Sequence, residues 1–167
     1  MKTITNGKFI LPDERGNFFI ATEKFLTFDE KIISFENSAE EIIDAQGNFV
    51  SPGFINIHIH GCANSDTMDA TPAALKNMCE FLPSTGVTSF LPTTMTMTLD
   101  EIYRALKNIS NCKNIGGAKI LGANIEGPFI SAKYHGAQNP QNILRADLNL
   151  FEEFLDVIKI ITVAPEE

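Results

Sequence analysis

The chain has few of the residues that extracellular, membrane-bound or nucleic-acid-binding proteins need. It contains no tryptophan, only three cysteines, and 13 Lys+Arg against 21 Asp+Glu, for a formal net charge of −8. Since Cys62, Cys79 and Cys112 are widely spaced and odd in number, we expect neither a disulfide framework nor a CxxC zinc site. Because no basic run is present, we expect no binding to nucleic acid or to an anionic membrane surface.

Long hydrophobic runs are also absent. No apolar stretch approaches the roughly 20 residues that a membrane-spanning helix needs, and the first 16 residues lack the apolar core of a secretory signal. The 167 residues are 44% hydrophobic and 20% charged, which is typical of a globular protein. We therefore expect a cytoplasmic protein without a membrane partner.

Residues 1–51 read as short β-strands joined by turns, in a small module without chemistry of its own. The strand candidates are rich in Ile, Phe and Thr: GKFILP, NFFIATEKFLTF and KIISFE. Turn residues separate them at Gly7, Gly16, Asp29 and Asn37.

Residues 52–167 alternate between strand and helix patterns. Apolar runs predict strands at 54–60, 87–94, 118–126 and 158–166. Helices are predicted from Thr71 to Gly86, after a Thr98–Glu101 capping box, and near Asp147. Nearly continuous apolar strands favour a parallel sheet covered by helices. The region is about half of the roughly 250 residues of a (β/α)8 barrel. A doubly wound open sheet is the alternative, although no GxGxxG or GxxxxGK[ST] loop follows a strand.

Candidate metal ligands lie where two of these strands end. Alternate residues of a strand point to the same side, so His58 and His60 project together. Glu126 ends a later strand, and the carboxyl ends of parallel strands share one rim. Two imidazoles and a carboxylate suit Zn²⁺, Fe²⁺ or a similar cation. The alternative is that each histidine is an ordinary hydrogen-bonded polar residue.

Other polar residues follow the same rim. Thr93 and Thr94 end the second strand, where they either donate hydrogen bonds or simply fill the strand. The loop ISAKYHGAQNP, residues 130–140, offers backbone groups and the Gln138 amide to a polar ligand. His135 in this loop is either a third metal ligand or a solvated side chain.

Five segments together resemble one family of known enzymes. VSPGFINIHIHG is similar to the metal-binding first strand of the amidohydrolase superfamily. Its combination with GVTSFLPTTMT, GANIEGPFIS, HGAQNP and ITVAPE resembles the N-acetylglucosamine-6-phosphate deacetylase family, from about Gly47 to Glu167. The resemblance implies an α/β fold. Residues 52–167 would form the first four strands of a TIM-like (β/α)8 metal-dependent hydrolase barrel, and residues 1–51 a segment of a small β-sandwich domain.

The same resemblance implies an activity and roles for particular residues. The reaction is hydrolysis of the N-acetyl group of N-acetylglucosamine 6-phosphate to glucosamine 6-phosphate and acetate, with one or two divalent cations, Zn or Fe. Glu126 matches the family's metal-ligand glutamate, and His58 and His60 match a pair that some members use for a second metal. Ala137 and Gln138 match a loop pair whose main chain contacts the sugar. The full-length protein is expected to be a homodimer that binds a small amino-sugar phosphate.

The chain departs from the family pattern in three ways. The family's general base, an aspartate on a late strand, and two further metal-ligand histidines are expected beyond Glu167, so no catalytic residue is assigned in this chain. Asn56 stands where relatives usually carry an acidic residue. We therefore expect little activity from these 167 residues alone. Two alternatives stay open: a non-catalytic metal-binding or interaction module, and an amidohydrolase with a different amide substrate.

Overall fold

The computed structural model describes residues 1–29, 31–36 and 41–166. The chain divides into two compact units, Met1–Pro52 and Gly53–Glu167. The turn predicted at Asn37 lies outside the described residues. None of the described helices has the length and apolar character that crossing a membrane requires.

The described residues of the first unit form seven short strands in two sheets. The sheets have the orders β5-β4-β1-β6 and β3-β2-β7. The strands are β1 (Lys2–Thr5), β2 (Lys8–Pro12), β3 (Phe18–Ala21), β4 (Leu26–Phe28), β5 (Ile32–Ser34), β6 (Glu41–Asp44) and β7 (Phe49–Val50). The short strands predicted here are confirmed, but the segment 17–28 forms two strands, and β1, β6 and β7 lie outside the predicted segments. In β1 the inward residue is Thr3, whose buried hydroxyl bonds to that of Thr27 at 2.8 Å. Because this inward-facing residue is polar, the pattern of apolar residues does not reveal β1.

The second unit alternates strands with helices. Its strands are β8 (Phe54–Ile59), β9 (Gly61–Cys62), β10 (Ser65–Asp66), β11 (Val87–Pro92), β12 (Lys119–Ile120), β13 (Ala123–Glu126) and β14 (Ile158–Thr162), and its α-helices are α1 (Pro72–Phe81) and α2 (Leu99–Asn111). Short 3₁₀ segments occupy Thr67–Asp69, Leu82–Thr85, Pro140–Asn142 and Leu148–Phe154. The mixed α/β class is therefore as predicted.

The long strands of this unit are parallel. β11 pairs with β8 on one side and β12 on the other, and β13 pairs with β14. A parallel bridge between Thr93 and Asn124 joins the end of β11 to β13. This pairing brings the carboxyl ends of β8, β11 and β13 to one edge. The core packs helix residues Leu75, Met78, Ile102, Leu106 and Ile109 against sheet residues Phe90, Ile120 and Ile125.

Both predicted helix starts are confirmed. The Thr71 hydroxyl accepts a hydrogen bond from the Ala74 N–H at 3.2 Å, with Pro72 at the first helical position. Thr98 and Glu101 form the reciprocal capping box of α2. The predicted stop of the first helix also holds, because Gly86 closes the Leu82–Thr85 segment in the left-handed conformation with φ +83°.

Two predicted elements differ in detail. The predicted strand 118–126 is divided between β12 and β13, because Gly122 has φ +149° and its Cα approaches the Val157 carbonyl too closely for a side chain. The helix predicted near Asp147 is the 3₁₀ segment Leu148–Phe154, in which the Tyr103 hydroxyl donates to the Leu150 carbonyl at 2.6 Å. The segment is capped by Asp147, whose side chain accepts from the Asn149 N–H at 3.0 Å.

Candidate metal centre

Three side chains from β8 and β13 converge at the shared edge of the strands. One oxygen of Glu126, Oε2, lies 2.8 Å from His58 Nε2 and 3.0 Å from His60 Nε2. The two Nε2 atoms are 3.3 Å apart. The imidazole rings meet edge-on, with centroids 5.1 Å apart. The structure therefore brings together the three residues that the sequence singles out as candidate ligands.

Main-chain pairing and one buried amide hold these strands in register. The side-chain amide of Asn124, two residues before Glu126, donates to the Ile57 carbonyl of β8 at 2.8 Å. Thr93 N–H donates to the Ile59 carbonyl, and the Thr93 hydroxyl accepts from Ile59 N–H, both at 2.9 Å. Thr93 thus fixes the end of β8 just before the second histidine, in addition to filling its strand.

The orientation of His60 determines which ring nitrogen carries a proton. Its Nδ1 lies 3.2 Å from the Thr93 carbonyl oxygen. A carbonyl can only accept, so Nδ1 is the donor. In the neutral ring Nε2 then carries a lone pair, which faces a carboxylate oxygen 3.0 Å away. This contact is favourable only with a proton or a metal ion between the two atoms.

His58 is positioned more loosely than His60. Its side chain is 50% exposed, against 31% for His60 and 23% for Glu126. Its backbone N–H donates to the side-chain oxygen of Asn56 at 3.0 Å. Asn56 therefore acts through its amide oxygen on the main chain of β8.

The second oxygen of Glu126 has a partner of its own. Oε1 accepts a hydrogen bond from the Gln138 side-chain amide at 2.8 Å. That amide also accepts from the Thr96 N–H at 2.7 Å. Gln138 is 7% exposed. The Gln138 amide, predicted to face a polar ligand, is instead hydrogen-bonded to Glu126 and Thr96.

Other candidate residues lie outside the cluster. In the described part of the chain, one cluster of histidine, cysteine or acidic side chains is close enough to hold a metal ion, and it consists of His58, His60 and Glu126. His135 is half-buried, and its Nδ1 is buried without a hydrogen-bond partner among the described residues. Ala137 is exposed, and the Thr94 hydroxyl is buried without a partner in that same part of the chain.

The cysteines take no part in this cluster. All three thiols are free, and Cys79 and Cys112 are buried. Burial raises the pKa of Cys79 to about 11, and it also raises the pKa values of Cys62 and Cys112. Buried, protonated thiols are poor metal ligands. The three free thiols agree with the expectation of no disulfide framework.

The donor set fits a divalent cation. Two neutral imidazole nitrogens and a carboxylate oxygen are ligands that zinc and iron accept. Ligand atoms about 2.0–2.1 Å from one tetrahedral ion lie roughly 3.3 Å from each other. The three separations here, 2.8, 3.0 and 3.3 Å, are close to that spacing. All the ligand atoms lie within 4.8 Å of one another.

The fold and site define a class: parallel α/β proteins that carry a histidine pair and a glutamate at the carboxyl ends of their strands. The model of the Amidohydrolase family matches residues 49–166, and the chain belongs to this family. The family predicted from the sequence is thus confirmed.

Known proteins similar to this chain include sugar-phosphate deacetylases. The chain is 41% identical over 141 residues to the N-acetylglucosamine-6-phosphate deacetylase of Bacillus subtilis (strain 168), covering 79% of this chain and 36% of that protein. It is 30% identical over 145 residues to the N-acetylgalactosamine-6-phosphate deacetylase of Escherichia coli O157:H7, covering 83% and 38%. The crystal structure of N-acetylglucosamine-6-phosphate deacetylase from Pasteurella multocida superposes with a TM-score of 0.82 at 26% identity, covering 96% and 44%. The chain spans less than half the length of each of these proteins.

Proposed function

We propose that this chain carries part of the metal site of an enzyme that hydrolyses the N-acetyl group of N-acetylglucosamine 6-phosphate to glucosamine 6-phosphate and acetate. One observation carries the proposal: the ligand atoms of His58, His60 and Glu126 converge within 4.8 Å. The 41% identity to a deacetylase of that name supports the choice of substrate.

The proposed roles of the three ligands follow from their chemistry. His58 and His60 would hold the cation through Nε2, and Glu126 through Oε2. One or two ions, Zn²⁺ or Fe²⁺, suit these ligands. A bound divalent cation supplies Lewis-acid chemistry, which polarises an acyl oxygen and makes water a stronger nucleophile at neutral pH. The Thr93 carbonyl keeps the His60 proton on Nδ1, so that Nε2 stays available as a ligand.

The main chain near Ala137 is the proposed contact to the sugar. Gln138 ties this turn to Glu126, so the turn lies beside the metal ligands. The Gln138 N–H is bonded to the His135 carbonyl at 3.0 Å. The main chain of Ala137, an exposed residue, and the Gln138 carbonyl are the groups that we assign to the substrate.

Hydrolysis also needs a general base that later protonates the leaving amine. In the described part of the chain, no further histidine, cysteine or acidic residue joins the cluster. We propose that the base belongs to a full-length protein, which forms a homodimer. Residues 52–167 would form the first four strands of its barrel, and residues 1–51 would form strands of its β-sandwich. The 167 residues alone should show little turnover.

A second candidate substrate is suggested by the Escherichia coli O157:H7 relative, which is named for N-acetylgalactosamine 6-phosphate. The two sugars share the acetamide and the phosphate, and they differ in the configuration of one hydroxyl. The described site contains only the metal ligands and one loop, so both sugar phosphates belong in the test.

A chimera tests the proposal. The segment of the Bacillus subtilis deacetylase that aligns with this chain is replaced by the corresponding residues of this chain, and amine release is measured with both sugar phosphates. We expect turnover of N-acetylglucosamine 6-phosphate that Glu126→Gln reduces by roughly 100-fold or more, because the site loses a charged ligand. A chimera with native circular dichroism, bound zinc and no turnover would instead indicate a non-catalytic metal-binding module. Turnover that Glu126→Gln leaves unchanged would contradict the site.

A further inference from the structure

We propose that Gln138 is a positioning residue, whose side-chain amide turns the Glu126 carboxylate so that one oxygen faces both histidines. The inference rests on the proposed metal site and adds to it a residue that binds neither the metal nor the sugar through its side chain. It assigns the two oxygens of Glu126 different tasks: Oε2 for the cation, and Oε1 for the hydrogen bond that fixes the rotation of the carboxylate.

The contacts divide the carboxylate in this way. Oε2 lies within 3.0 Å of both imidazole nitrogens, whereas Oε1 accepts from Gln138 Nε2 at 2.8 Å. A carboxylate rotates easily about its last side-chain bond, where preferences are broad. A hydrogen bond to Oε1 therefore restricts the rotation of the Glu126 carboxylate before the ion binds. Outer partners of this kind orient metal ligands in known sites.

The amide itself is held from its other end. Gln138 Oε1 accepts from the Thr96 N–H at 2.7 Å, and Gln138 Nε2 also lies 3.6 Å from the sulfur of Met95. With 7% of the residue exposed, water competes poorly for these bonds. The amide therefore links three segments: the end of β13, the turn that follows β11, and the loop before Pro140.

Only a neutral amide satisfies both of these partners. The position needs an acceptor for the Thr96 N–H and, about two ångströms away, a donor for the carboxylate. A carboxylate in place of the amide would meet Glu126 with like charge, and a lysine would cancel the negative charge that attracts the cation. An aliphatic side chain would leave the buried N–H of Thr96 unpaired.

Cobalt binding to the purified 167-residue chain tests the assignment. Co²⁺ is titrated by calorimetry, and its visible absorption reports the coordination geometry. Gln138→Met keeps the length of the side chain but loses both bonds, so we expect the dissociation constant to rise roughly 10- to 100-fold and the Co²⁺ spectrum to change. Gln138→Asn is the second variant, because its amide is one methylene too short to reach both partners, and it should weaken binding as well.

A matched control separates positioning from general loosening of the loop. The Asn142 side chain donates to the carbonyl of the same Thr96 at 3.4 Å but does not contact Glu126. Asn142→Ala should leave the Co²⁺ affinity within about two-fold of the unsubstituted chain. Thermal unfolding without metal is recorded for every variant, and affinities are measured well below each midpoint.

The outcomes distinguish this inference from the proposed function. If Gln138→Met and Gln138→Asn lower only the unfolding temperature, or if Asn142→Ala weakens binding as much as they do, the positioning role is wrong while the metal site stands. If the unsubstituted chain binds no Co²⁺, or if His58→Ala leaves its Co²⁺ affinity unchanged, the metal site and this inference fail together.

Discussion

At the scale of single residues, the backbone at Gly127 determines how the chain leaves β13 after Glu126, a proposed metal ligand. Gly127 has φ +78°, a conformation that residues with a side chain rarely adopt. A Cβ at this position would overlap the hydroxyl of Thr96, whose N–H holds the Gln138 amide. The turn after Glu126 therefore has two independent reasons to be glycine, one conformational and one steric.

Gly127→Ala should both destabilise the chain and weaken metal binding. The control is Gly136→Ala, because Gly136 also has positive φ, +59°, but no atom lies near the position of its Cβ. The control should cost only the conformational strain, about 1 kcal/mol, and should leave the metal affinity unchanged. Urea unfolding and Co²⁺ titration measure the two effects. Equal losses of stability in both variants would show that the contact with Thr96 is not significant.

At the scale of elements, the two α-helices begin with different kinds of cap. At the start of α2, the Thr98 hydroxyl accepts from the Glu101 N–H, and the Glu101 carboxylate accepts from both the N–H and the hydroxyl of Thr98. The hydroxyl and backbone N–H of Thr98 lower the pKa of Glu101 below its ordinary value of 4.5. At the start of α1, Thr71 caps without a carboxylate partner.

Thr98→Ala should lower the free energy of unfolding by about 1 kcal/mol at pH 7, with a pH dependence that Thr71→Ala lacks. A lowered folded-state pKa means that Glu101 contributes stability above its unfolded pKa, and that this contribution disappears as the pH falls through the folded value. The difference between Thr98→Ala and the unsubstituted chain should therefore shrink at pH 3. Urea unfolding at the two pH values measures it. A Thr71→Ala difference that shrinks equally would contradict this assignment.

Elements with local signals could be predicted from the sequence, and those that depend on distant partners could not. The helix caps and the alternation of His58 and His60 involve neighbours within a few residues, so both are visible in the sequence. The partners that orient the ligands are far apart: 33 residues separate His60 from Thr93, and 42 separate Thr96 from Gln138. The division of the strand at Gly122 likewise depends on an approach to Val157, which only the folded chain brings about.

At the scale of the whole molecule, the proposed metal centre is a product of tertiary structure. Its ligands come from β8 and β13, which are not adjacent in sequence. Large side chains on β8 are exposed, with Phe54 at 71% and Ile57 at 55%. Pairing with β11 and the hydrogen bonds from Asn124 and Thr93 to β8 therefore help to keep the histidines opposite Glu126.

X-ray absorption at the zinc edge tests this convergence most directly. With one equivalent of Zn²⁺ bound to the purified chain, we predict scattering from two imidazole rings and one carboxylate oxygen at roughly 2.0–2.2 Å. His58→Ala and His60→Ala should each remove one imidazole, and Glu126→Ala should remove the carboxylate. A zinc spectrum without imidazole scattering, or one that none of the three substitutions changes, would contradict the proposed metal centre.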